Sequence, residues 1–191
     1  VVSVPGSVSA RELRGHGVPD ERVVRLVNPL PEDGYGSPAS DSETRYDLLW
    51  VGRLAPEKDP VRFVETVAEL EARGRSVSAV VVGDGALRGA VADAVERHGV
   101  ADSVDLAGWV DDPREFYERS RLCLLTSERD ALPLTLLEAM ASGVVPVVTP
   151  VGNVPDVVDD GENGRVVPEG SPDAFADAVG ALLDDRDTYD R

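Results

Sequence analysis

Arg53 and Lys58 stand in one segment, Gly52-Arg53-Leu54-Ala55-Pro56-Glu57-Lys58, directly behind the apolar run Leu48–Val51. Arg grips two oxygens at once and Lys offers a compact charge, so the pair suits a diphosphate. Solvated surface charge is the plain alternative. Lys58 is the single lysine of the chain, against 18 arginines, and that placement favours a task. A second segment, Thr126-Ser127-Glu128-Arg129-Asp130-Ala131-Leu132-Pro133, leads into a helical pattern through Ser142. Pro133 near the first turn leaves free backbone N–H groups, and a helix N-terminus is a ready anion site. On that helix Leu134, Leu137, Glu138 and Ala141 share one face at i, i+3, i+4 and i+7, the stripe expected to face the core. A carboxylate there is costly unless it is paired or hydrogen-bonded. The vicinal diol of a ribose supplies two donors; an Arg or backbone N–H groups supply them in the structural alternative.

Other candidates carry less. Gly83-Asp84-Gly85 follows an apolar run, but its third glycine, Gly89, comes one residue late for a dinucleotide fingerprint and no ribose-binding acid follows at the right offset. A nicotinamide or flavin is therefore not expected, and the glycines read as a tight turn. Trp109 in Gly108-Trp109-Val110-Asp111 is placed to border a base or to be half-buried packing. Thr149 to Asp156, with Gly161 to Gly164, is turn chemistry that either lines a pocket or joins elements. Cys123 lies within an apolar run and reads as core. With His16 and His98 far apart and one cysteine, no zinc cluster and no disulfide framework are expected.

The elements that must position these residues follow from the apolar texture. Leu48–Val51, Val77–Val82, Val104–Leu106, Leu122–Leu125, Val144–Val148 and Arg165–Val167 are short, and several are continuously apolar and Val-rich, as strands buried on both faces are. Helical segments between them start at Asp59-Pro60, Asp112-Pro113 and Ser171-Pro172, each a cap followed by a first helical proline. The alternation predicts an α/β, doubly wound Rossmann-like parallel sheet over 47–191. Residues 1–46 read as an entry segment: a helix around Val8 to Arg14, an apolar stretch Val23 to Val27, and a loop over 31–46 with almost nothing to bury. In such a sheet, ligands bind beyond the carboxyl ends of the strands, which is where the two candidate segments lie.

The chain has 191 residues and a formal net charge of -17, from 36 acidic and 19 basic side chains. Nucleic-acid binding through a basic surface is thereby disfavoured, and no nucleic-acid partner is expected. An acidic, lysine-poor, Val/Ala-rich chain fits high salt, where a Debye length of about 3 Å at 1 M quenches self-repulsion; GC-rich codon bias is the alternative. No apolar run reaches the roughly 18 residues of a membrane span, no signal peptide opens the chain, and one cysteine fits a reducing, cytoplasmic setting. The first residue is Val1, so a processed form or a piece of a longer chain is expected.

The series Gly52-Arg53-Leu54 with Glu57-Lys58, Gly83-Asp84-Gly85, Gly108-Trp109-Val110 and Leu132-Pro133-Leu134 running to Glu138-Ala139-Met140-Ala141-Ser142-Gly143 resembles family 4 of the retaining glycosyltransferases. The tail Gly152-Asn153-Val154-Pro155-Asp156, with Asp159, Gly161, Asn163 and Gly164, resembles it too, and Asn28-Pro29-Leu30 looks like its entry motif. The resemblance implies a GT-B architecture, two Rossmann-like domains around a cleft. This chain would hold the C-terminal, donor-binding domain, without the N-terminal acceptor domain. Arg53 and Lys58 would then hold the donor diphosphate, beside Gly52. Glu138, the second acid of the E-x7-E motif, would hold the ribose. Its first acid would contact the donor sugar, helped by backbone from Ala131 through Leu132, Pro133 and Leu134 to Thr135, and the backbone near Val110 would meet the base. No metal and no cofactor is implied. The chain departs from the pattern at Asp130, where the family has Glu, at Ala131, where it has Gly, and at Gly152-Asn153, where it often has Gly-Gly.

The expected function is transfer of a sugar from a nucleotide diphosphate sugar to an acceptor hydroxyl, by the parent protein. This chain alone is expected to lack turnover for want of the acceptor half. A nucleotide-binding module without activity and a nucleotide-sugar epimerase are the alternatives; the latter needs an acid/base pair, and no histidine is placed for it. The acceptor is open, and so is membrane contact, through the missing half.

Overall fold

The computed structural model describes residues 1–26, 29–30, 35 and 44–184. It opens with β1 (Val2–Val4), α1 (Ser7–Gly15) and β2 (Val23–Arg25); the two strands pair in parallel. The expected helix is α1. β1 was not legible, because Val-Ser-Val is too short to show a period. Asn28 of the entry motif, Val27 of the apolar stretch and most of the expected loop over 31–46 lie outside the described residues. Tyr35 corrects one part of that expectation: it packs against the core.

The main sheet comprises β3 (Tyr46–Val51), β4 (Ala79–Val82), β5 (Val104–Gly108), β6 (Ser120–Leu125), β7 (Val145–Val148) and β8 (Arg165–Val166). All its pairings are parallel, in the order β5-β4-β3-β6-β7-β8. That is the doubly wound order, and it reverses between β3 and β6. The crossovers carry α2 (Pro60–Ala72), α3 (Arg88–His98), α4 (Arg114–Glu118) and α5 (Leu134–Ala141), and α6 (Pro172–Asp184) follows β8. The predicted strands are all present, with ends shifted by a residue or two.

Successive strand residues point to opposite faces, and the core divides accordingly. Leu48, Trp50, Val81, Leu122 and Leu124 pack with Phe63, Leu70 and Phe175 from α2 and α6 on one face. Leu49, Val80, Val82, Cys123 and Leu125 pack with Tyr117 and Leu136 from α4 and α5 on the other. This is why runs such as Leu48–Val51, Ala79–Val82 and Leu122–Leu125 are apolar at every position. Each such Leu or Phe contributes about 1.5–3 kcal/mol by burial.

Two of the three predicted helix starts hold. Asp59 Oδ1 accepts from Arg62 N at 3.3 Å ahead of Pro60, and Ser171 Oγ from Ala174 N at 3.2 Å ahead of Pro172. At the third, the cap position is Pro113 itself and α4 runs only from Arg114 to Glu118. Asp112 is taken up by Arg114, whose guanidinium and backbone N–H hold its carboxyl down to about 2.

Cys123 is buried as expected, and burial, with a smaller push from Glu138, raises its thiol to about 12. The unfolded chain loses this proton near pH 9 and the folded chain keeps it, so stability is present below pH 9 and falls as pH rises toward 12. One such group costs about 1 kcal/mol between pH 9 and pH 10. Urea titrations across that range should show a shallower loss for Cys123→Ala than for the parent; equal slopes would mean the thiol is not held neutral.

Candidate functional site

The strand order reverses between β3 and β6, so the loops after these strands flank the crevice. They are the two candidate segments. The loop after β3 is pinned from below by the next crossover. Leu54 N donates to Asp84 O at 2.9 Å and Leu87 N to Leu54 O at 2.9 Å. Gly83 has φ +138°, and a Cβ there would lie 1.9 Å from Gly52 O; one at Gly85 would lie 2.5 Å from Leu54 O. The glycines therefore serve close approach of two backbones, as the turn reading implied.

Lys58 and Asp130, far apart in sequence, meet: the Lys58 ammonium donates to Asp130 Oδ2, and both side chains are largely buried. Asp130 Oδ1 also accepts from Ala131 N at 2.9 Å. Arg53 is different. Its side chain is 70% exposed and bonds Glu57 Oε1 at 2.6 Å on the rim. Beside Lys58, Asp59 is the one non-glycine residue with positive φ among the described residues, at 44°, a conformation Asp tolerates better than most.

The loop after β6 is built on this one. Glu128 N and Arg129 N donate to Glu57 O at 3.0 and 3.2 Å. Buried Thr126 accepts from Trp50 Nε1 at 3.1 Å and donates to Asp59 O at 2.7 Å. Arg62 Nη1 reaches Thr126 O at 3.3 Å while its Nη2 pairs with Asp59 at 2.7 Å. From the far side, Asn153 donates to Ala131 O through both its backbone N, at 2.6 Å, and its side-chain amide, at 3.0 Å. A Cβ on Gly152 would stand 1.9 Å from Asp130 O.

Leu132 and Pro133 are buried under the mouth, and Pro133 is the cap position of α5 in extended conformation, with no side chain capping the helix. The N–H groups of Leu134 and Thr135 begin the helix there. The predicted buried stripe is corrected. Leu136 and Ala139 face the core, whereas Leu134 and Ala141 are exposed. Glu138 therefore sits on the border, half-buried, where a carboxylate costs less than in the core. Its partners are phenols, not the Arg or backbone groups of the structural alternative. Tyr117 OH donates to Glu138 Oε2 at 2.8 Å, and the Tyr35 phenol is raised by burial and by the nearby Glu138 carboxylate.

Val110 is half-buried against the core on the same side. Trp109 is not half-buried: it is 72% exposed, its indole N–H 3.3 Å from Asp111. β5 is an edge strand of the sheet, with no strand beyond it among the described residues. Tyr117, Tyr35 and Asn153 were not singled out for these contacts; a tyrosine in a helix and an asparagine in a turn carry no spacing signal.

The entry segment is joined to the mouth. Asn153 Oδ1 accepts from Val8 N at 2.8 Å, its amide donates to Ser9 Oγ at 2.8 Å, and Asp156 Oδ1 accepts from Ser7 Oγ at 2.6 Å. These bonds from Ser7 hold the Asp156 carboxyl below its usual range. A cleft of about 430 Å³ opens between α1 and the Asp130–Ala131 turn, with Ser9, Glu12 and Glu57 on its walls. Among the described residues no group of three or more His, Cys, Asp or Glu is arranged to hold a metal ion, and no helix is long and apolar enough to cross a membrane.

A doubly wound parallel sheet with a helix-flanked crevice at its switch point, where Lys58 meets Asp130, defines a Rossmann-like domain of the kind that makes up each half of a GT-B protein. The chain belongs to the family described as glycosyl transferases group 1, whose model matches residues 45–185. It is 32% identical over 189 residues to the alpha-D-kanosaminyltransferase of Streptomyces kanamyceticus, covering 91% of this chain and 48% of that protein. It is 27% identical over 208 residues to the D-inositol 3-phosphate glycosyltransferase of Corynebacterium glutamicum, covering 98% and 50%. The chain thus spans about half the length of these curated relatives. Among solved structures, Anabaena HepE in complex with UDP superposes with a TM-score of 0.86 at 20% identity, over 99% of this chain and 55% of that one. The C-terminal domain of a group 1 glycosyl transferase, LpcC from Francisella tularensis, superposes with a TM-score of 0.69 at 22% identity, over 80% of this chain and 87% of that one.

Proposed function

We propose that this chain is the donor-binding half of a retaining glycosyltransferase that moves a sugar from a nucleotide diphosphate sugar to an acceptor hydroxyl. One observation carries the reading: Lys58, Asp130 and the N-terminus of α5 converge at the switch point of the sheet. The HepE structures hold UDP and UDP-glucose, which supports a nucleotide diphosphate sugar as the donor class. Lys58, Arg53 and the first N–H groups of α5 take the charge that builds on the leaving diphosphate. Glu138 holds the ribose. Asp130, with backbone from Ala131 to Thr135, faces the donor sugar, and backbone near Val110 meets the base. The bond from the sugar to the diphosphate breaks as the acceptor oxygen bonds the same carbon from the same face, and the acceptor proton passes to the leaving phosphate. No step requires a metal or a bound cofactor. Residues 47–191 form the donor domain and 1–46 lead into it; the acceptor side belongs to the rest of a longer parent. The excess of acidic over basic residues, 36 against 19, supports a high-salt setting, and we place the protein in the cytoplasm.

A second reading is favoured by the half-length match: this chain by itself binds nucleotide without turnover. Calorimetric titration with UDP, GDP and ADP in molar KCl tests the first part of both. Saturable binding of one nucleotide is expected and names the donor class. Absence of binding to all three by a chain that is folded by circular dichroism would sink the donor-site assignment.

A further inference from the structure

We propose that Tyr117 is a positioning residue that, together with Tyr35, holds the Glu138 carboxylate in the orientation that receives a ribose diol; this rests on the donor-site reading above. The two phenols come from separate parts of the chain, Tyr117 from α4 and Tyr35 from the segment before β3. Tyr117 OH donates to Oε2 of one carboxylate on α5 at 2.8 Å, and the Tyr35 phenol stands near enough for that same carboxylate to raise it. An ionised carboxylate accepts at about four lone-pair sites. Two phenols occupy about half of them and leave room for the two hydroxyls of a vicinal diol.

The type of donor matters. No basic side chain forms an ion pair with Glu138 among the described residues, so a neutral clamp fixes the rotamer without cancelling the charge that the diol hydroxyls would bond. Hydrogen bonds from a diol to an ionised acceptor are stronger than those to a neutral one. Tyr117 is 0% exposed, so its ring cannot swing away. Burial, with smaller contributions from Cys123 and Glu138, raises its phenol far above the usual range, and it stays a donor at any working pH. Tyr35 is raised in the same direction by burial and by Glu138.

The test compares UDP with 2′,3′-dideoxy-UDP by titration calorimetry on the parent chain and on Tyr117→Phe, Tyr35→Phe and Glu138→Ala. Each Phe variant keeps the ring and its packing. Loss of one positioning hydrogen bond is expected to weaken UDP by about 2- to 10-fold, to leave dideoxy-UDP unchanged, and to leave the thermal midpoint near that of the parent. Equal losses on both nucleotides would assign the phenols a structural role and overturn the proposal. So would unchanged UDP affinity in both Phe variants while Glu138→Ala weakens UDP and spares dideoxy-UDP. If the parent and Glu138→Ala alike fail to distinguish UDP from its dideoxy form, the ribose role of Glu138 falls, and the positioning role falls with it. Should Tyr117→Phe not fold, Tyr35→Phe, at the less buried site, decides on the same criteria.

Discussion

Lys58→Ala is expected to weaken binding of a nucleoside diphosphate by about 10- to 150-fold, or about 1.5–3 kcal/mol, the range for hydrogen bonds to charged groups. Two effects add. The ammonium is lost from the mouth, and Asp130, whose side chain is only 13% exposed, loses its cation. Its carboxylate then faces the incoming anion at close range in a partly desolvated site, where repulsion is less screened than in bulk water. The double variant Lys58→Ala/Asp130→Ala should therefore bind more tightly than Lys58→Ala alone. Arg53→Ala should cost less, because Arg53 is exposed on the rim and already bonded to Glu57. Calorimetry with the nucleotide that binds the parent chain decides. Unchanged affinity in Lys58→Ala would remove the phosphate assignment, and no recovery in the double variant would remove the repulsion term.

Gly83→Ala is expected to destabilise the chain by about 3 kcal/mol or more. The new Cβ would lie 1.9 Å from the backbone oxygen of Gly52, and φ +138° is one that side-chain-bearing residues rarely adopt. Strain of that kind and overpacking each cost roughly 1–3 kcal/mol, and a backbone oxygen cannot yield as a side-chain tip can. Gly89→Ala provides the contrast within one crossover. Gly89 lies in α3 with nothing within 4 Å of an added Cβ, so the same chemical change should stabilise by about 0.5–1 kcal/mol. Urea unfolding in molar KCl measures both. Because Gly52 precedes Arg53, any surviving Gly83→Ala protein should also bind nucleotide less tightly. A Gly83→Ala midpoint equal to the parent would show that the two loops do not touch as described.

The sheet was legible because burial on both faces leaves a run such as Val80-Val81-Val82 with no polar member, a signal that survives without knowledge of neighbours. The mouth was legible for the same reason in reverse. Arg53, Lys58 and Asp130 are charges in the loops that follow apolar runs, and strand ends are where a doubly wound sheet opens. What the sequence did not carry is pairing. Lys58 and Asp130 appear in it as two isolated charges, and only the adjacency of β3 and β6 makes them one ion pair. The face of α5 failed for a related reason. An eight-residue helix rich in Leu and Ala offers two near-equivalent stripes, and the choice between them was made by β6 and β7, which pack on Leu136 and Ala139. The half-buried alternative for Trp109 fails because the residue follows an edge strand, and strand order is not written locally. Tyr117 and Tyr35 gave no signal at all, since each gains meaning only from a carboxylate on another element.

The bonds from Asn153 and Asp156 to the first turn of α1 have a mechanical consequence. Asn153 bonds Val8 and Ser9 on one side and the Ala131 carbonyl on the other. One short, fully buried side chain thus acts as a rivet through both parts. The first turn of α1 and the Ala131 carbonyl are joined over the length of a single amide, so Asn153→Ala would cut the side-chain bonds to both at once.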